Sequence, residues 1–576
     1  MSQKVLEQKR PQELERKALL LLEDVITDTS ALQLPENRAL VQATSADLLW
    51  KHDEERARSL FQDALSSLAQ VKPPAGIAAP PDDPDFTSFR LRQQVLQLVA
   101  RRAPQMALEF LRATRRPAPA GTEASEQQSD PELLLEQSLA AQVATNDPKL
   151  ALQIAEESLS KGISRAVLPL LHRLLKKDRE AGAKLGSSVV AKLRSVNFNA
   201  NPEAAEIAFS LLSMSTQPQT NEPNAKQQQD TMKAEPVLGL QNTRDLVDAL
   251  ATAALSGSPG SPMFEMLSSI MPQVEQYAPA RLPLLRRKLA QFQQELDPHA
   301  KTMRDLESLM SGGTTPEAIL GVAAKAPREM RSVLYQQAAW QAMQKGDTDR
   351  ARQIIHDNVQ NSPEREQLLG EIDRQVLARA TAQGNIEEAR QMLAGVSSKN
   401  DRAEALAQLA TSAMKVGGNR KLVGQLLDEA ASLIRGRARN SKGLQVQLQV
   451  SHAFANVEPA RSFEILEPLI AQTNELIQAA AVLDGFGGQA GIFRRGEIVM
   501  TSAMAVADRF SRYGLDFALA DFERTKEATN KFDRSELRIL TRLLVVQAIL
   551  SDRSDAENSD EELRETALFS RVFTTP

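Results

Sequence analysis

Between Tyr335 and Gly395 the chain states one helical phrase twice, AAWQAMQKGDTDRARQIIHD and then VLARATAQGNIEEARQMLAG. In each copy a helix-compatible run reaches a glycine (Gly346, Gly384) and passes Asp347 or Asn385. It then restarts with Ala-Arg five residues after the glycine, at Ala351-Arg352 and Ala389-Arg390. Gly384 follows Gly346 by 38 residues, inside the roughly 20–50-residue range that marks stacked repeats. A single helix pair cannot bury its own apolar stripe, so neighbours have to stack on it. The phrase therefore constrains the fold to an array, and it names no reaction.

Weaker echoes extend the array in both directions. In ADLLWKHDEERARSLFQDAL, setting Ala57-Arg58 on Ala351-Arg352 places Asp53 on Asp347, Arg56 on Arg350, Leu60 on Ile354 and Phe61 on Ile355, with His52 in the place of the glycine. APQMALEFL restarts at Ala107, and the break Asn146-Asp147-Pro148 restarts at Ala151. Gly417-Gly418-Asn419 marks another turn, and Ala460-Arg461 opens a further copy. Alanine where the second helix crosses the first allows close backbone approach, and glycine supplies the left-handed conformation that ends the first helix.

Between these copies, proline and polar residues divide the chain. An N-terminal helical unit over 1–70 is followed by a Pro-rich linker, 71–87, because proline removes donors and pushes its predecessor toward extended backbone. A short helical unit, 88–115, precedes a low-complexity linker, 116–130, then helical repeats over 131–214 and a disordered polar linker over 215–236. A helical unit, 237–296, leads into the regular repeats of 297–480, a C-terminal helical unit, 481–551, and an acidic tail, 552–576. Within 481–551 the expected order is a Gly-rich turn, Asp484–Gly491, then helices over Glu497–Tyr513, Gly514–Thr529 and Ser535–Ser551. The fold class expected is all-α: an α-solenoid of stacked antiparallel helix pairs with disordered linkers.

The pattern Gly-[Asp/Asn]-x-x-x-Ala-Arg-x-[Ile/Met]-[Ile/Leu] at Gly346 and Gly384 resembles the junction between the two helices of tetratricopeptide repeats. In the first copy Tyr335 falls where that family has its first aromatic, and Pro363 where it has its closing proline. Ala339 stands where the family prefers glycine, and the second copy lacks both the aromatic and the proline. The resemblance implies a groove that binds a protein or peptide segment. Carried over by position, it assigns Gln336, Trp340, Gln344, Arg374 and Thr381 to that groove. The competing reading of Trp340 is that it fills the core between repeats.

Composition narrows the function classes. A net charge of −5 gives no overall pull toward nucleic acid or anionic membrane, and two Trp and three Tyr leave few platforms for stacking bases. The absence of cysteine excludes disulfides, thiolate zinc sites, iron–sulfur clusters and cysteine nucleophiles. Glu7, Glu13 and Glu15 interrupt the basic N-terminus, whose apolar run is only Ala18–Leu22, so it lacks a signal-peptide core. No run approaches the ~20 apolar residues that span a bilayer. As it stands the chain reads as cytoplasmic; a lost upstream signal peptide would place it outside.

No side-chain pattern announces a reaction. The histidines, at 52, 172, 299, 356 and 452, share no metal-ligand spacing, and no metal or cofactor is expected. GFGGQAG at Gly485–Gly491 lacks the Lys-[Ser/Thr] ending of a phosphate loop and reads as an inter-helix turn beside Arg494-Arg495. Basic clusters occur at Arg101-Arg102, Arg115-Arg116, Arg286-Arg287-Lys288 and Ile434–Lys442, the last with Arg435, Arg437 and Arg439; a helix C-terminus accounts for that cluster as well as an RNA contact does. Glu54-Glu55 and Glu387-Glu388 sit in first turns of helices, as dipole-stabilised caps. The sequence thus points to a non-catalytic scaffold with an unidentified protein or peptide partner. Two alternatives stand beside it: a helical-toroid enzyme or accessory domain acting on a polymer such as a glycan, and a structural spacer in a larger assembly.

Overall fold

The computed structural model describes residues 3–71, 84–114, 131–216, 238–257, 262–295, 315–326, 328–359, 361–382, 389, 393, 398–415, 420–486, 492–501 and 513–551. Most of the expected linkers, the acidic tail, His299, Glu387-Glu388 and the turns at Gly384 and Gly417-Gly418-Asn419 lie outside these residues. The chain divides into two compact units, one formed by residues 38–295 and the other by 1–37 with 296–550. Both are built from helix pairs stacked in two layers, an all-α solenoid type of fold.

In the 38–295 unit the first layer is Pro84–Arg102, Pro131–Val143, Val167–Lys177, Pro202–Thr216 and Pro262–Tyr277, each helix packing on the next. The second layer comprises Pro104–Ala113, Pro148–Lys161, Arg179–Arg194, Leu240–Ser256 and Leu282–Glu295, with side-by-side contact from Pro148–Lys161 onward. Helix Pro84–Arg102 starts inside the stretch expected as linker, because proline is tolerated in a first turn. The apolar faces of both layers meet in one core that runs from Leu108 through Leu171, Leu185 and Leu211 to Leu285.

The other unit repeats the arrangement. Helix Arg328–Gln344 packs on Pro316–Lys325 and Thr348–Asn358; Ser362–Ala382 packs on Lys399–Lys415, which packs on Ser441–Ala455. Ion pairs tie neighbouring repeats at about the repeat spacing, Arg350 with Glu317 at 3.2 Å and Arg461 with Asp428, while Arg402 with Glu429 at 2.7 Å joins the two helices of one pair, Lys399–Lys415 and Arg420–Leu433.

The expected crossing is present, in a form more general than Ala-Arg. Helices capped by Asp53, Asp147, Asp178 and Asp347 bury a small residue four positions after the cap: Ala57, Ala151, Gly182 and Ala351. Each aspartate accepts a hydrogen bond of 3.0 Å from the backbone N–H three residues on. At Gly182 a Cβ would lie 2.7 Å from Leu175 Cδ2 and 2.8 Å from the Leu175 backbone nitrogen, so the two backbones are in near contact. Leu60 and Phe61 are buried like their counterparts Ile354 and Ile355. The expected register at Ala460 is corrected by two positions. Ala460 is exposed, and the buried crossing residue is Ser462, four after the cap Glu458, whose hydroxyl donates 2.7 Å to the Ser451 carbonyl.

Two kinds of turn join the helices of a pair. Gly346 has φ +84; it donates to the Met343 carbonyl while Asp347 donates to the Ala342 carbonyl, each at 3.0 Å, which is the Schellman arrangement. The turns at His52-Asp53, Asn146-Asp147 and Val457-Glu458 instead aim two successive N–H groups at one carbonyl, that of Leu49, Val143 or Phe454. None of these residues takes positive φ, so glycine is not required there.

The C-terminal helical unit holds the main departure from expectation. In place of a helix beginning at Glu497, residues Phe493–Arg494 and Glu497–Ile498 form an antiparallel hairpin. Its two turn residues, Arg495 (φ 53) and Gly496 (φ 78), both have positive φ, as a two-residue hairpin of matching twist requires. The hairpin receives the chain's N-terminal segment. Glu497 accepts from the backbone N–H groups of Gln33 at 2.7 Å and Leu34 at 3.0 Å, and from Asn37 Nδ2 at 2.7 Å. Arg494 pairs with Glu36. Helix Gln3–Asp28 then packs on Ser535–Leu550, where Asp28 meets Arg542 at 2.7 Å, and reaches helix Phe522–Asn530 through Lys17–Glu523 at 2.9 Å and Asp24–Lys526 at 2.8 Å.

Candidate interaction face

Helix Arg328–Gln344 buries Met330, Leu334, Ala338, Ala339, Ala342 and Met343 along one stripe, directed into a core with Ile319, Ala351, Ile354 and Ile355. Residues spaced by three or four on another stripe, Val333, Gln336, Trp340 and Gln344, are exposed. Val333 is 64% and Trp340 41% exposed. Trp340 therefore does not fill the inter-repeat core, where Ala339, Ala342 and Met343 take that place. Among the described residues its ring makes no aromatic or cation contact. Trp50 differs: it lies against Phe61, with ring centroids 5.9 Å apart, and under the Arg58 guanidinium at 4.9 Å.

The framework behind this stripe is held at both ends. Ser332 bonds Glu364 on helix Ser362–Ala382, Arg331 Nε donates to the Ala326 carbonyl at 3.1 Å, and the Gly346 turn stops the helix two residues after Gln344. The stripe joins an aliphatic residue and an indole to two exposed carboxamides, each with both a donor and acceptor. Such a surface can cover apolar side chains and hydrogen-bond an extended backbone together. Arg374 and Thr381 belong to helix Ser362–Ala382, but their side chains lie outside the described residues.

The remaining sequence candidates fall in structural roles. His356 is exposed beside Asp357, and Glu54 forms an ion pair with Arg58 at 2.8 Å. In the IRGRARNSK stretch the helix ends at Leu433, Gln447 Nε2 donates 2.8 Å bonds to the carbonyls of Ile434 and Gly436, Arg437 pairs with Glu475 and Lys442 with Glu404. Among the described residues no group of three or more His, Asp or Glu is placed to hold a metal ion. No helix among them is long and apolar enough to cross a membrane.

One cluster escaped the sequence reading. His452 Nε2 lies 2.6 Å from Asp516 Oδ2, its ring stacks on Tyr513 with centroids 4.0 Å apart, and Phe517 meets it edge-on. The His452 hydrogen bond holds the Asp516 carboxyl below its ordinary value; the charges of His452 and Lys415 act the same way, while burial opposes them. These partners are 64 residues apart, so no local spacing could have joined them.

No family model matches the chain, and neither does any curated protein. Among solved structures it is similar to a "Circular tandem repeat protein with novel repeat topology and enhanced subunit contact surfaces", at 14% identity. That match covers 96% of this chain and 100% of the other, with a TM-score of 0.14. The class assigned here, a helical repeat protein, stands on its own helix pairs.

Proposed function

We propose that the chain is a non-catalytic, tetratricopeptide-like scaffold that binds an extended peptide or protein segment on the exposed stripe of helix Arg328–Gln344. The observation that carries this reading is Trp340, an indole 41% open to solvent on a helix whose core positions are already filled. Aromatic side chains are favoured anchors of protein interfaces. Gln336 and Gln344, one turn to either side, offer polar contacts to a peptide backbone, and Val333 extends the apolar part of the stripe.

The reading is tested by selecting ligands from a random-peptide display library on the full chain and titrating them against wild type and Trp340→Ala. At least about tenfold weaker binding by the variant, near 1.4 kcal/mol, with an unchanged melting temperature, supports the reading. Selected peptides that bind both proteins equally would place recognition elsewhere, and a library that yields no binder favours the spacer.

A further inference from the structure

We propose that a second cleft, in the 38–295 unit, binds a carboxylate-bearing peptide segment through Arg244. The inference rests on the peptide-binding reading above and uses different residues. The cleft, of about 690 Å³, is formed where Arg194 on helix Arg179–Arg194, Arg244 on Leu240–Ser256, Tyr277 at the end of Pro262–Tyr277 and Arg281 in the turn Pro279–Arg281 come together.

Its charges divide unequally. Asp248 is taken up by Arg281, which donates from Nε at 2.5 Å and Nη2 at 3.1 Å. Asp245 accepts from Arg194 Nη1 on one oxygen and Gln241 Nε2 on the other, both at 2.8 Å. Both acids are thereby committed within the cleft. Arg244 is exposed and makes no ion pair among the described residues, and the Tyr277 hydroxyl makes no hydrogen bond among them. A guanidinium takes a carboxylate through two parallel N–H bonds, and the phenol adds a donor beside it. Pro279 and three alanines supply the apolar wall, suited to small or aliphatic neighbours of the acidic residue. The whole chain carries −5, so attraction of an acidic ligand has to come from this local surplus.

The probe is a fluorescein-labelled (Gly-Ala-Glu)₄ peptide, with (Gly-Ala-Gln)₄ as its neutral counterpart, followed by anisotropy on the full chain. The acidic peptide is expected to bind at least about tenfold more tightly than the neutral one. Arg244→Gln should remove that preference while leaving the thermal melt unchanged, and Trp340→Ala should leave it intact. Equal binding by wild type and Arg244→Gln, or no binding of the acidic peptide, overturns the proposal. Displacement of the peptide by sub-millimolar inorganic phosphate also overturns it, assigning the cleft to a small anion. Binding lost in Trp340→Ala alone would sink the cleft and leave the first reading standing.

Discussion

Asn37 and Glu497, 460 residues apart in the chain, share a buried hydrogen bond of 2.7 Å. The same Asn37 amide nitrogen donates to the Ile498 carbonyl at 2.7 Å, and its oxygen accepts from the Met500 N–H at 2.8 Å. One side chain thus fastens the N-terminal segment to the hairpin. Removing it strands the Glu497 carboxylate and the Met500 N–H without that partner. Hydrogen bonds to charged groups contribute ~1.5–3 kcal/mol and a buried orphan adds to the loss, so Asn37→Ala should lower stability by about 3 kcal/mol in urea titration. A change below about 0.5 kcal/mol, the scatter of ordinary surface substitutions, would mean that the clasp is not held by this residue.

Two glycines give opposite expectations. Gly182→Ala forces a methyl against Leu175 and its backbone nitrogen, an overpacking that costs about 1–3 kcal/mol. Gly424 lies within helix Arg420–Leu433 with nothing near the position of an added Cβ. Gly424→Ala should stabilise by about 0.5–1 kcal/mol. A paired measurement of melting temperature checks both signs, and a neutral Gly182→Ala would contradict the close crossing.

The Asp516 carboxyl is held below its ordinary value of 3.8. A depressed carboxyl contributes stability that is fully present above the unfolded value and is lost as pH falls through the folded one. Acid titration of wild type should therefore lose this contribution below about pH 4, and Asp516→Asn should flatten that part of the curve. Because the Asp516 side chain is 38% exposed, solvent screening limits the effect to about 1 kcal/mol or less. Identical acid limbs in the two proteins would rule the contribution out.

Much of the fold is legible in the sequence because its determinants are local. Asp53, Asp147 and Asp347 cap their helices through bonds three residues on, and the small residue four after the cap is visible in the same window. At Ala460 the residue type and the register part: the position four after Glu458 is Ser462, a small residue that also bonds Ser451. The hairpin is less legible, since it needs Arg495, a residue that disfavours positive φ, to adopt it beside Gly496. Glu497 was hidden for another reason: its partners are supplied by residues 33–37. On the candidate face, Gln336, Trp340 and Gln344 come from the tetratricopeptide resemblance carried over by position, while the exposure of Trp340 depends on what Ala339 and Met343 already occupy.

The most direct test of the interaction face uses Trp340 as its own reporter. Trp50→Phe leaves it the sole tryptophan, and acrylamide quenching then reads its accessibility with and without a display-selected peptide. Trp340 is expected to be readily quenched in the free protein and markedly protected at saturating peptide, with no protection from a scrambled sequence. Quenching unchanged by a peptide that demonstrably binds would contradict it.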